Sequence, residues 1–496
     1  MKPGLHTACL LFMMGVCLAS LSCAGQGRRG ISLVLITFDT TRADRISAYG
    51  GPSGLTPHWD EAARQGVLFL KAQAQAAVTP VSHASLLTGL NPYHHGLRTL
   101  HGNRDYRLRK EVTTLAQRLG KAGFETAAFI SAFPCSTRFT LDRGFETFDE
   151  QFVSGAQAHV GQAGNVSTGL AQRGAAATTD AVLRWLSGRR HDRPFFLWVH
   201  YFDPHDPLLR PPQAFLESYM QSLPHHGEME RLLSTDLAGF VAKYTDKPEL
   251  MRPWLRRLYD AEIAYADAQL GRLLKELKGS GLKDRMVLAL TADHGEGLGD
   301  HGWWGHGILY QEQLHVPMVL EGPGLPQGLR VHDRVRLVDL APTLLDLSGG
   351  LQFEQLVDGI SLLPLIRARA LDQPVPSAAK PGPAYADSVT LMEYGAVFSR
   401  QAVEKKDDQL HAWIDSDLKW IYHRLRPAES ELYDLAADPQ EEINLTTRRP
   451  RAAARLQEAL KATHPLTVGI DFSRPADPEV LKRLRSLGYL TGPSRR

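Results

Sequence analysis

Three stretches of the chain place carboxylates and imidazoles directly after an apolar run. "ISLVLITFDTTRAD" ends its run at Asp39. "RMVLALTADHGEGLGDHG" delivers Asp293 and His294. "PFFLWVHYFDPHDP" releases Asp203, His205 and Asp206. Such sets suit a divalent cation, because zinc and manganese accept both imidazole nitrogen and carboxylate oxygen. One carboxylate at one strand end would only cap the helix that follows it. Three clusters in one chain point to a site assembled from separate strands. A fourth stretch, "AVTPVSHASLLTG", has the form of the front end of a nucleophile-bearing helix. Glu296 and His301, in the run after His294, read as support for that loop. Trp303 and Trp304 read as packing residues or as the lining of a pocket.

The elements that must position these residues are legible. Ile31 to Phe38 is a continuous apolar, β-branched run, as in a central strand covered on both faces. In open α/β sheets, chemistry sits at the carboxyl ends of strands. Helical periods appear in "TTLAQRLGKAGF" (Thr113 to Phe124) and "YDAEIAYADAQLGRLLKELKGSG" (Tyr259 to Gly281). Strands alternating with helices predict a mostly parallel sheet with helices on both faces. Residues 211–253 lack a strand period and read as an insertion near the site. Residues 370–386 are rich in proline and alanine and read as a linker. Strand-like runs follow in "GAVFSRQAV", "LHAWIDSD" and "LKWIYHR", then a helix around "RAAARLQEALKAT".

Composition narrows the classes. A chain of 496 residues predicts more than one domain. Its 56 basic and 54 acidic residues give a net charge of +2, which argues against a nucleic-acid partner. Lys2 precedes the apolar run Ala8 to Leu21, too short to span a bilayer and shaped like a secretory signal. "LASLSC" is similar to a bacterial lipoprotein box with Cys23 lipidated, although Ser20 stands where that box has leucine. Ordinary cleavage nearby is the alternative. The expectation is an exported protein, periplasmic or held to a membrane only by an N-terminal lipid. Beyond Cys23 only Cys135 remains, so no internal disulfide is expected.

Nine phrases, in order, carry a family resemblance: "LITFDTTRADRISAYG", "SHASLLTGLNPYHHG", "LDRGFETFD", "HYFDPHDP", "TADHGEGLGDHG", "HGILYQEQLHVPMV", "VDLAPTLLDLSG", "ELYDLAADPQEEINL" and "LRSLGYL". The chain resembles the sulfatase family of the alkaline phosphatase superfamily. The resemblance implies an α/β fold: a mostly parallel sheet sandwiched by helices, plus a smaller C-terminal α+β domain. Expected bounds are 1–23 for the signal, 30–370 for the catalytic domain and 371–490 for the small domain. Departures from the family pattern shape the expected chemistry. Sulfatases carry Cys-x-Pro-x-Arg before Leu-Thr-Gly and oxidise the cysteine to formylglycine. Counted back from Gly89, the cysteine position is Thr79 and the arginine position is His83. Calcium-binding sulfatases show Asp-Asp and Asp-Asn where this chain has Asp39-Thr40 and Asp293-His294. These changes resemble the phosphodiesterases and phosphoethanolamine transferases of the superfamily. His306 stands where those transferases have histidine and sulfatases have lysine, and His205 matches a substrate-side or second-metal histidine.

The resemblance therefore implies Thr79 as covalent nucleophile and Asp39, Thr79, Asp293 and His294 around a divalent metal. Zinc or manganese is expected ahead of calcium, as one ion or two. His205 and His306 would protonate the leaving group or hold a second cation. His83 would orient substrate or nucleophile, or make a structural hydrogen bond. The expected activity is hydrolysis of phosphate or sulfate esters, with phosphodiester or phosphonate ahead, on a small-molecule, glycan or lipid ester. A sulfuric ester hydrolase working without formylglycine and a silent exported binding protein are the alternatives. Membrane-embedded transferases need several spanning helices, and the sequence shows none.

Overall fold

The structure, a computed structural model, describes residues 30–100, 106–152, 172–189, 193–205, 211–221, 247–390 and 408–464, with isolated positions elsewhere. The expected signal segment with Cys23, residue Asp206 and the run "GAVFSRQAV" lie outside the described residues. Strand β1 (Ser32–Phe38) is buried along its whole length. It lies between β5 (Phe195–Tyr201) and β6 (Met286–Ala292), parallel to both. The other strands are β2 (Val67–Gln73), β3 (Glu125–Phe129), β4 (Thr147–Asp149), β7 (His315–Glu321) and β8 (Leu329–Arg336). The eight-stranded sheet runs β4-β3-β5-β1-β6-β7-β2-β8. Strand β7 runs against β6 and β2, so the sheet is mixed.

Side-chain alternation explains the unbroken apolar runs. Leu33 and Leu35 enter one core layer with Phe69 and Trp198. Val34, Ile36 and Phe38 enter the opposite layer with Trp59 and Leu270. The helices that cover these layers include α1 (Pro57–Gln65), α2 (Thr79–Thr88), α3 (Leu115–Lys121), α4 (Ala175–Gly188) and α5 (Pro248–Leu277). Helices α2 and α3 pack on the first layer, and α1, α4 and α5 on the second. Thr114 starts α3 through a capping box with Gln117. Helix α5 begins at Pro248 rather than Tyr259, passing through Pro253. Met251, Trp254 and Leu258 pack it against the helix Gln213–Met220, and that packing outweighs the proline. A single turn, α6 (Gln311–Leu314), leads into β7.

The smaller domain is an antiparallel sheet ordered β12-β11-β10-β9. Its strands are β9 (Ala384–Thr390), β10 (Asp408–Asp415), β11 (Leu418–His423) and β12 (Glu431–Asp434). Helix α7 (Pro450–Thr463) lays Leu456 and Leu460 on Trp413, Trp420 and Leu432. The stretch read as a linker to residue 386 ends earlier, because its last residues open β9. Among the described residues, no helix is long and apolar enough to cross a membrane.

Candidate active site

Because β5, β1 and β6 are neighbours and parallel, their carboxyl ends deliver His200, Asp39, Asp293 and His294 to one place. Thr40 turns the chain there in the left-handed region, at φ +50°. That turn aims its N–H at Asp293 Oδ1 (3.1 Å), which also accepts the His294 N–H (2.8 Å). Asp293 Oδ2 makes no hydrogen bond. Asp39 Oδ2 accepts His200 Nε2–H (2.8 Å), whose proton position is set by the Ser131 N–H donating to Nδ1 (3.3 Å). Asp39 Oδ1, also buried, is left without a hydrogen bond. His294 donates Nδ1–H to Gly295 O (2.9 Å), so its lone pair is on Nε2, 3.3 Å from Thr79 Oγ1. Thr79 is the first residue of α2. Asp39, Thr79, Asp293 and His294 are all 0% exposed.

This geometry fits a cation. Asp39, Asp293 and His294 each offer one ligand atom within 4.8 Å of the others. Two buried carboxylate oxygens without a hydrogen bond, beside an aimed imidazole lone pair, form a mixed N/O donor set of the kind zinc and manganese take. The recorded ion-pair partners of the two carboxylates are imidazoles, not lysine or arginine. Burial pushes the Asp39 carboxyl well above its usual range, against the nearby Thr79 hydroxyl. Burial, then the Asp39 charge, pushes Asp293 up to about 7. Burial lowers His294 to about 4. Each direction marks a dry pocket short of positive charge.

His83 lies behind the site. It donates Nδ1–H to Thr79 O (2.9 Å), and its Nε2 takes the Thr37 hydroxyl (3.0 Å). Both nitrogens are engaged by the protein, and Nδ1 is 3.5 Å from Asp293 Oδ2. Of the two roles expected for His83, this placement is the internal one. His205 and His306 meet through their Nε2 atoms at 3.1 Å, with His306 Nδ1–H donated to Ala77 O (2.7 Å). The His306 ring lies 4.5 Å from that of His294, centroid to centroid. Burial and neighbouring imidazoles hold His205 and His306 well below the usual histidine range. His306 keeps 7% exposure, so this pair lies on the outer side of the buried centre.

Asp203, read from sequence as a possible ligand, instead accepts the Ala175 N–H at the start of α4 (3.0 Å). At the start of α2, Pro80 has no N–H, and those of Val81 and Ser82 already bond to Val78 O (3.1 and 3.0 Å). What α2 offers an anion there is chiefly its dipole. Glu296 and His301 brace the loop. Glu296 O takes Arg42 (3.1 Å), and His301 donates to Glu441 O (3.3 Å) while pairing with Glu312 (2.9 Å). Trp303 donates its indole N–H to His306 O (3.1 Å), and Trp304 packs beside α5. Cys135 is buried 3.6 Å from His83 Nδ1. Sequence reasoning missed His200 and Ser82, whose hydroxyl holds Asp293 O (2.7 Å). The signal for His200 was present: one polar residue inside an otherwise apolar strand.

The sulfatase family model matches residues 32–350, which span β1, α2, β5, β6 and every residue of this centre. The chain belongs to the sulfatase family. As a sulfatase-family enzyme it hydrolyses ester bonds. A sulfatase from Formosa agariphila is 25% identical over 92% of this chain and 91% of its own length. An arylsulfatase from Clostridium perfringens is 26% identical over 84% of this chain and 90% of its own. Among solved structures, a phosphonate monoester hydrolase from Agrobacterium radiobacter shares the fold. Its TM-score is 0.64 at 23% identity, covering 88% of this chain and 95% of that one.

Proposed function

We propose that this sulfatase-family enzyme is exported and is a metal-dependent hydrolase of phosphodiester or phosphonate esters, with Thr79 as covalent nucleophile. One observation carries the reading. The Thr79 hydroxyl lies where Asp39, Asp293 and His294 converge and leave two carboxylate oxygens without hydrogen bonds. A formylglycine cannot form at threonine, so in this reading the hydroxyl itself attacks. Asp39, Asp293, His294 and Thr79 would hold a zinc or manganese ion, which would acidify the hydroxyl and offset charge on the ester oxygens.

The chain's own groups divide the rest of the work. His200 fixes the Asp39 carboxylate through Oδ2, and Thr40 fixes Asp293 through Oδ1. His83 holds the carbonyl of Thr79 and so sets the start of α2. Thr79 Oγ1 forms a bond to phosphorus as the bond to the leaving oxygen breaks. The His205–His306 pair, neutral at rest, takes the proton that Thr79 gives up and passes it to that oxygen. Water then displaces threonine, and the same pair carries a proton from that water back to Thr79 Oγ1. The substrate would be a small-molecule, glycan or lipid ester.

A second reading is favoured by the arylsulfatase relative: a sulfate head group on the same nucleophile. One experiment separates the two. The mature protein is assayed on one aryl leaving group carried by sulfate, phosphate monoester, phosphate diester and phosphonate monoester, with zinc, manganese or calcium, beside Thr79→Ala. Diester or phosphonate turnover that Thr79→Ala loses is the expected result. Dominant sulfate turnover replaces the first reading with the second.

A further inference from the structure

We infer that Gln313 is a positioning residue that sets His294 and His306 in register for turnover; the inference rests on the hydrolase reading above. Gln313 lies in the single turn α6 and is fully buried. Its side-chain Oε1 accepts the N–H of Gly307 (2.8 Å) and of Ile308 (2.9 Å). Its Nε2 donates to Gly305 O (3.3 Å). These three groups lie on both sides of His306. The main-chain oxygen of Gln313 accepts the N–H of Gly295 (2.8 Å). Gly295 follows His294, and its carbonyl takes the His294 Nδ1–H (2.9 Å). One residue thus ties the segments that carry both imidazoles.

The local sequence gives this tie weight. His306 sits between Gly305 and Gly307, and Gly307 has φ +112°. Neither glycine brings a side chain to pack, so the segment's placement rests on its backbone hydrogen bonds. Gln313 makes three of them, beside those of Trp303 to His306 O, Ser388 to Gly307 O and Gly297 to Gly305 O. A swing would draw the His306 ring off Ala77 O, where Nδ1–H now anchors it at 2.7 Å, and off His205. The amide also fits better than other side chains. This buried spot asks for one oxygen that accepts two N–H groups and one nitrogen that donates. A carboxylate of the same length keeps the acceptor but faces Gly305 O with a lone pair. A methionine keeps the length and removes all three bonds. Misplacing a reacting group by about 1 Å costs on the order of 100-fold in rate.

The test compares Gln313→Met and Gln313→Glu with Gln75→Met on the aryl ester that the wild type turns over best. Gln75 is equally buried and is spent on Val338 N–H (3.0 Å) and Gln73 O (3.2 Å), touching neither imidazole. The expected result is a fall in kcat on the order of 100-fold for Gln313→Met with KM little changed. Gln313→Glu should fall between Gln313→Met and wild type, and Gln75→Met should stay near wild type. A crystal structure of Gln313→Met, or of Gln313→Glu if the first does not fold, gives a readout independent of turnover. It should show residues 305–308 displaced and His306 off Ala77 O. Unchanged kcat, an equal loss in Gln75→Met, or a His306 still bonded to Ala77 O overturns the inference. Failure of the hydrolase reading looks different: Thr79→Ala keeps full turnover, and the crystal structure alone then decides Gln313.

Discussion

A threonine hydroxyl holds its proton too firmly to attack an ester unaided at neutral pH. In the proposed reading its activation depends on groups that are themselves held in place. Asp39 spends one oxygen on His200 and Asp293 spends one on two backbone amides, which leaves one oxygen each without a hydrogen bond. Thr79→Ala removes the proposed attacking atom and one methyl's worth of packing. It should lower kcat/KM by on the order of 1,000-fold or more with the melting temperature nearly unchanged, while Thr79→Ser keeps measurable turnover. Cation binding is checked without turnover. Zinc or manganese at about 100 times its Kd should stabilise the chelated protein by about 2.7 kcal/mol in a thermal shift, and Asp39→Asn should abolish the gain. The pH dependence has a definite sign. Burial keeps protons on Asp39 and Asp293, the latter up to about 7, whereas ligands must be deprotonated. Cation affinity should therefore rise with pH through about 7, with proton release seen by calorimetry in buffers of different ionisation enthalpy.

At the scale of elements, the site is a consequence of strand order. Asp39, Asp293 and His294 were legible because each follows a run so apolar that only a central strand explains it. The third run was read one step too late. The sequence drew attention to Asp203 and Asp206 after β5, yet the residue that touches Asp39 is His200 inside β5. Asp203 caps α4, a job that depends on where a distant helix begins. The start of α5 was hidden by Pro253, because a proline signals a break while its compensation, packing against Gln213–Met220, is non-local. Gln313 was invisible for the same reason: its partners are close in sequence, but their value comes from two histidines on other segments. The loop between those histidines yields its own prediction. A Cβ on Gly295 would lie 2.0 Å from Glu312 O, and backbone cannot yield as a flexible side chain does. Gly295→Ala should cost about 1–3 kcal/mol or more in denaturant unfolding and move His294 enough to lower turnover even where the fold survives.

At the scale of the whole molecule, the small domain grips the segment from His301 to Gln311, which carries His306. Lys419 of β11 pairs with Glu441 (2.7 Å), and both side chains are 0% exposed. Glu441 Oε2 accepts the Gln311 N–H at the start of α6 (2.6 Å), and its main-chain oxygen accepts from His301 (3.3 Å). Tyr310 reaches Glu431 (2.7 Å), and Ser388 reaches Gly307 O (2.9 Å). The motif "ELYDLAADPQEEINL" marked this domain in the sequence without assigning a residue, because Glu441 gains its meaning only beside Lys419 and α6. Burial opposes charge on both partners, raising the Glu441 carboxyl and lowering the Lys419 ammonium. Such a pair is costly to break and weak as net stabilisation. Lys419→Met alone strands a buried carboxylate, and Glu441→Gln alone strands a buried ammonium. Each should cost about 3–5 kcal/mol in denaturant unfolding. The double variant Lys419→Met with Glu441→Gln removes both charges and keeps the Gln311 N–H acceptor. It should recover most of that loss, a strong positive coupling in the double-mutant cycle. Additive losses would show that the domains are held by apolar packing and the smaller contacts, with the ion pair a bystander. If the coupling is found, turnover should follow it, because the same residue that closes the pair also seats the turn from which Gln313 reaches the site.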